Sequence, residues 1–315
     1  MFKGIKILSA VALAISLDGC GGGGGGVGGG AIPSAVKTTP FTSYPAITYP
    51  STIVAPGYTQ QTSYTEFGGI VTSPSTPSTF ASGASFTESL NSSRQLTSLT
   101  MISASGTTIS LSTAKGDTLA VATVLPTVLT SYSKNLQNQI WGVSMSLAGW
   151  NYQSFGVWET GVGAGSGTMG AMTFGAETSP ALIPTTGTYT FSGVADGIYT
   201  NSAGKLFVVS SSMTANADFA TRSISFATTG SQTSLPGGTT ATLNMGLNTN
   251  GTLSYASGSN QFNGFITTIG GGVGNAAMTG NATGKFYGPT ADEIGGTFAV
   301  SGGSVTRFIG GFGGK

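Results

Sequence analysis

The chain has no histidine, one cysteine, and only 11 basic and 10 acidic side chains in 315 residues. Each shortage excludes a chemistry. Without histidine there is no Ser-His-Asp or Cys-His nucleophile and no His-ligated metal. With a single Cys there is no internal disulfide and no thiolate cluster. Charged residues make up 7% of the chain, against about 25% in an average domain, so no basic footprint for nucleic acid is available. Long apolar runs are missing too. The longest, Ile5 to Leu17, falls short of the roughly 20 residues of a membrane-spanning helix. What the chain does have is 52 Gly, abundant Ser and Thr, 39% hydrophobic and 10% aromatic residues, enough apolar surface to build a core.

Lys3 and Lys6 form a short positive region at the start of this stretch, which closes on Leu17-Asp18-Gly19-Cys20. This is a secretory signal peptide over residues 1–19 ending in a lipoprotein cleavage box, although Asp18 departs from the commonest form. Cys20 is then the lipid-attachment residue and the new N-terminus. The competing reading, a buried or redox-active thiol, finds no partner for Cys20 and no His to activate it. Removal of residues 1–19 takes away Lys3, Lys6 and Asp18 and leaves nine basic and nine acidic side chains. A neutral mature protein must hold the membrane through its acyl chains rather than by charge.

Residues 20–61 read as a tether. Gly21 to Gly30 is glycine apart from Val27, and it is no nucleotide loop because no strand precedes it and no helix follows. Pro33, Pro40, Pro45, Pro50 and Pro56 then favour an extended path. Fully extended, roughly 40 such residues span on the order of 130 Å. Tyr44, Tyr49 and Tyr58 lie along this spacer.

Residues 62–184 read as short strands separated by turns, with Thr127 to Gln139 the one stretch expected to be helical or irregular. Trp141, Val143, Met145 and Leu147 alternate with small or polar residues, and Tyr152 to Trp158 form a further strand. Trp141, Trp150 and Trp158 are either a ligand platform or core packing.

Over residues 185–315 the period-2 signal is clearest. Strands are expected around Tyr189 and Phe191, around Ile224 and Phe226, and around Leu243, Phe265, Phe286, Phe298 and Phe308. Ala195-Asp196-Gly197, Asn201 to Gly204, Pro236 to Gly238, Asn248 to Gly251 and Gly270 to Gly272 are the turn signals between them. Eight or nine strands without helical patterns point to an antiparallel barrel or sandwich, apolar inside and polar outside, the reverse of a membrane barrel.

In Gly284-Lys285-Phe286-Tyr287-Gly288-Pro289-Thr290-Ala291-Asp292-Glu293-Ile294-Gly295-Gly296-Thr297-Phe298, a strand ends at Tyr287. Gly288 supplies an unusual backbone angle, Pro289 opens one helical turn across Thr290 to Glu293, and Gly295-Gly296 restart a strand. Asp292 and Glu293, adjacent on a turn, do not face each other as an acid-base pair would.

This segment resembles the end of the barrel domain of transferrin-binding protein B and its relatives, among them factor H-binding protein and haemophilin-like surface lipoproteins. Thr186-Gly187-Thr188-Tyr189 through Ala195-Asp196-Gly197, Ala217-Asp218-Phe219 with Arg222 and Ser223 to Ser225, Phe308 to Lys315, and Tyr152 to Trp158 are similar to other stretches of that family. The resemblance implies an all-β protein, with a C-terminal eight-stranded antiparallel barrel over 185–315 and a smaller β-rich handle over 62–184. Only one such lobe fits here, where transferrin-binding protein B has two, which argues against transferrin itself as ligand.

By the same resemblance, the expected function is that of a surface-exposed outer-membrane lipoprotein. It would bind a host protein or haem-like ligand for nutrient capture beside a TonB-dependent transporter; the alternative is a surface-coat or host-factor-binding lipoprotein with no transport role. No enzyme activity, cofactor or metal is expected, and no residue is assigned to ligand contact. For haem, the missing histidine leaves Tyr ligation or a pocket without an axial ligand.

Overall fold

The computed structural model describes residues 43, 46–143, 149–270 and 276–315. The signal peptide, Cys20, the Gly-rich leash, Pro33, Pro40, Tyr44, Pro45, Met145, Leu147 and the Gly271-Gly272 turn signal lie outside them. No helix among the described residues is long and apolar enough to cross a membrane.

Two antiparallel sheets make up the described residues. The first contains β1 (Ser51–Phe67), β2 (Ile70–Pro74), β3 (Ala81–Leu90), β4 (Leu96–Ile102), β5 (Thr108–Ser112), β6 (Thr118–Ala122), β7 (Val128–Tyr132), β8 (Asn138–Val143), β9 (Gln153–Thr160) and β10 (Ser166–Gly175). Its order is β5-β4-β3-β1-β10-β9-β8-β7-β6, with β2 on β1. The sheet curls around its own core of Ile53, Phe86, Leu99, Met101, Ile109, Trp158 and Phe174. This is the handle.

The second sheet contains β11 (Thr188–Thr200), β12 (Leu206–Asp218), β13 (Ser223–Ser234), the two-residue β14 (Thr242–Leu243), β15 (Thr249–Tyr255), β16 (Gln261–Thr268), β17 (Thr279–Tyr287), β18 (Glu293–Gly302) and β19 (Thr306–Gly314). The chain runs β12-β11-β19-β18-β17-β16-β15-β13, and β13 pairs back onto β12. Eight of the described strands therefore close into a barrel without a free edge. Inside it Phe286 packs against Phe191, Phe219, Tyr255 and Phe262 at ring-centroid distances of 5.3 to 6.1 Å.

Several sequence expectations change. The handle begins earlier than residue 62. β1 starts at Ser51, so residues 51–61 belong to the sheet rather than the tether. Ser51, Ile53, Ala55 and Gly57 alternate inward, and Pro56 takes an exposed place beside a bulge between Gly57 and Tyr58, where a missing N–H is tolerated. Thr127 to Gln139 is not helical. It holds β7, a turn and the start of β8, with Thr127 and Leu136 at φ 62° and 63°.

Ala195-Asp196-Gly197 is no turn either, but the middle of β11, and Asn250-Gly251 lie within β15. Gly197 is needed there because a Cβ would meet the Phe308 ring inside the barrel. The turn after Gly288 is not helical, since Ala291 has φ 64° and β18 already begins at Glu293.

Candidate binding site at the seam of handle and barrel

The expectation of a polar outer barrel face holds for β15, β16 and most of β17, whose burial alternates, but fails for β18 and β19, which are buried on nearly every residue. The handle covers them. Ile198, Val208, Ala299 and Ile309 point outward from the barrel into one apolar cluster with Tyr64, Trp141, Val157 and Met169 of the handle. Gly311 and Gly313 let the surfaces meet. A Cβ on Gly311 would lie 2.7 Å from the Phe155 ring, and one on Gly313 would meet the Gln153 amide. Glycine on this strand thus serves a close approach between domains.

Glu293 ties the seam. Its carboxylate accepts backbone N–H groups of Asn151, Tyr152 and Gln153 at 2.6, 3.0 and 3.0 Å. Burial pushes the carboxyl up to about 7, opposed by those three donors. Lys285 donates to Glu177 at 2.7 Å while lying 4.5 Å from the Tyr58 ring centre. Asn260 donates to Thr178 O at 2.8 Å and exchanges bonds with Phe286, joining the linker to β17. Asp292, by contrast, is exposed and accepts from Thr290 within its own turn. Asp292 and Glu293 serve different structures, in keeping with their reading as structural residues.

Three further carboxyls are buried: Glu88 and Glu159, which carry no signal in the sequence, and Asp196, which reads there as part of a turn. Asp196 points outward from β11 between Gly311 and Ser210, its cross-strand neighbours. Neither of its oxygens has a hydrogen-bond partner among the described residues. Burial raises it to about 7, the Ser210 hydroxyl opposing; that hydroxyl itself donates at 3.4 Å to Pro126 O of the handle. Glu159 is also raised to about 7 by burial, the Tyr64 hydroxyl opposing and Glu66 adding to the rise. Glu88 lies within the handle core beside a cavity of about 40 Å³, and burial raises it well above the usual carboxylate range. A short acid between Ala and Gly reads as a turn; only the pairing shows it as a buried strand residue.

Beside the seam opens a cleft of about 380 Å³. Val121, Val124, Leu125 and Trp141 line it from the handle, and Val208 and Leu235 from the barrel. Val121, Val124 and Leu235 are 38 to 44% exposed, and no charged side chain lines the cleft. Its size and apolar walls at a domain boundary are those of a binding cleft. The three tryptophans do not form a platform. Trp141, Trp150 and Trp158 are all buried, each in a different core cluster. No group of three His, Cys, Asp or Glu side chains suited to a metal occurs among the described residues.

A closed antiparallel barrel with a β-rich handle packed on four of its strands defines the class of protein. Residues 183–315 match the family model of the C-lobe and N-lobe β barrels of Tf-binding protein B. This part of the chain is similar to the barrels of transferrin-binding protein B.

No curated protein sequence matches the chain. Among solved structures, a transferrin-binding protein B mutant from Haemophilus parasuis Hp5 is 15% identical, with 74% of this chain and 51% of that one covered and a TM-score of 0.42. The isotype 1 protein from serogroup B Neisseria meningitidis is 16% identical over 82% and 43%, with a TM-score of 0.44. A mutant from Actinobacillus pleuropneumoniae H49 is 14% identical over 82% and 98%, with a TM-score of 0.42. The chain thus spans about half the length of the Haemophilus structure.

Proposed function

We propose that this chain is a bacterial surface lipoprotein, anchored in the outer membrane by acyl chains on Cys20. A Gly- then Pro-rich tether holds its handle and barrel clear of the lipid, and the lobe binds a host protein or haem-type ligand for nutrient capture beside a TonB-dependent transporter. The observation that carries the reading is the match of residues 183–315 to the barrels of Tf-binding protein B, a protein whose name states that it binds transferrin. The Leu17 to Cys20 box supports the anchor. The uncharged cleft between handle and barrel offers a place for a partner's apolar segment.

Three measurements test this. Radiolabelled palmitate should enter the wild-type chain and not Cys20→Ser. Protease added to intact cells should remove the lobe, and full protection would place it in the periplasm. The purified lobe should capture one host protein from serum, and its deletion should impair growth only where that protein or haem supplies the nutrient. Unimpaired growth under every such limitation, with a serum partner still captured, would favour the surface-coat role instead.

A further inference from the structure

From Ser223 through Gly284 the sequence contains no Asp, Glu, Lys or Arg. In the structure that stretch supplies β13 and β14, whose connection reaches the cleft through Leu235, and then β15, β16 and most of β17, the barrel wall turned away from the handle. On β15, β16 and β17 the outward side chains of this stretch are amides and hydroxyls, with one exception. Phe265, in the middle of β16, is 60% exposed. It stands opposite Asn281 on β17, and Thr252 lies beside it on β15, between the pairs Gly251–Ile266 and Ser254–Asn263. Asn250, Thr252, Ser254, Asn263 and Asn281 are all exposed around it. The charged groups nearest in sequence, Arg222 and Lys285, sit where the stretch begins and ends, and Lys285 is paired with Glu177.

We propose that this wall binds an uncharged glycan, with Phe265 as the stacking platform. The argument is one of complementarity. A charged partner surface docked here would lose its hydration with no opposite charge to replace it. A peptide strand cannot add, because the closed barrel leaves no edge for it. A protein interface core needs several apolar anchors, and the neighbours of Phe265 on β15 and β17 are polar; Leu243, Met245 and Ile269, also exposed, lie outside β15, β16 and β17. A neutral sugar ring asks for what is present. Its C–H face, slightly positive, lies against the negative face of an aromatic ring. Its hydroxyls, each donor and acceptor, pair with amide and hydroxyl side chains, which are likewise both. Cross-strand neighbours about 5 Å away and diagonal ones about 7–8 Å away place those groups around the ring at the scale of a sugar unit. The proposal stands independently of the host-protein reading, which uses the cleft beside the handle and none of β15, β16 or β17.

The test is an array of uncharged oligosaccharides with their sialylated and sulfated counterparts, probed with the full chain in detergent, wild type and two Phe265 variants. Binding to uncharged glycans is expected. Phe265→Ala should weaken it by about tenfold or more, the loss typical of a truncated aromatic anchor, and Phe265→Trp should retain it. Phe265 packs in no core cluster, so both variants fold and their melting temperatures check this. The proposal is overturned by no binding to any uncharged glycan, by binding only to charged ones, or by binding that Phe265→Ala leaves intact. It is equally overturned if light scattering without glycan shows that Phe265→Ala abolishes a dimer, because the wall would then be a contact between copies.

Discussion

Replacing Asp196 by Asn should make the protein more stable above neutral pH and not below about pH 4. Asp196 is fully buried at the seam, and its carboxyl rises from an ordinary 3.8 to about 7. A folded-state value above the unfolded one means that the native protein holds a proton that the unfolded chain has released. The group's favourable contribution is therefore complete below about 3.8 and is lost as pH rises through about 7. Over that window the wild type gives up about 4 kcal/mol, at about 1.4 kcal/mol per tenfold change in proton affinity. Asn cannot ionise and gives up none of it. Its amide brings one more N–H donor than the protonated acid into a site short of partners, which costs about 1–3 kcal/mol at every pH, so the net gain at about pH 8 is roughly 2 kcal/mol. For a chain of this size the difference in melting temperature between variant and wild type should move by about 8 °C between pH 4 and pH 8. Thermal melts across that range measure it. A difference that stays constant with pH would refute the argument, because the carboxyl would then not be held neutral by burial.

Other substitutions probe the seam and the barrel core. Gly311→Ala places a methyl group against the Phe155 ring and should cost about 1–3 kcal/mol, read as a lower urea midpoint. Glu293→Ala removes the acceptor of three backbone N–H groups. It should lower stability by about 3 kcal/mol and raise protease cleavage within residues 149–153, whereas equal cleavage in both proteins would show that the clasp does not restrain that segment. Phe286→Ala empties the centre of the barrel's aromatic cluster and should cost about 3–5 kcal/mol in denaturant titrations. The same change at exposed Phe265 should leave stability within about 0.5 kcal/mol.

Much of the barrel was legible because its free wall follows the simplest rule of sheet chemistry. On β16 and β17, Phe262, Ile266, Ala282 and Phe286 point in while Asn263, Thr267, Asn281 and Thr283 point out. Alternation of this kind needs one wet face. Where both faces are covered the pattern disappears. Phe308 to Gly314 and Ile294 to Val300 read as strands, but nothing in them says that one face meets a second domain. The handle was harder. Pro56 disguised the start of β1, and positive φ angles at Thr127 and Leu136 made a hairpin out of a stretch that looked helical.

From the sequence alone came the all-β class, the missing histidine with the chemistries it excludes, the Leu17-Asp18-Gly19-Cys20 stretch on which the proposed anchor rests, and the absence of charge from Ser223 to Gly284. These depend on which side chains exist or on a period of two, both local properties. Only the tertiary structure decided which glycines mark turns and which admit a neighbouring domain. It also decided that Asp196 and Glu293 lie at the seam and that the charge-free strands form a single outer wall. The physical reason is that burial, close approach and shared faces arise between residues distant in sequence, through the pairing of β11 with β19 and the packing of β9 and β10 upon the barrel.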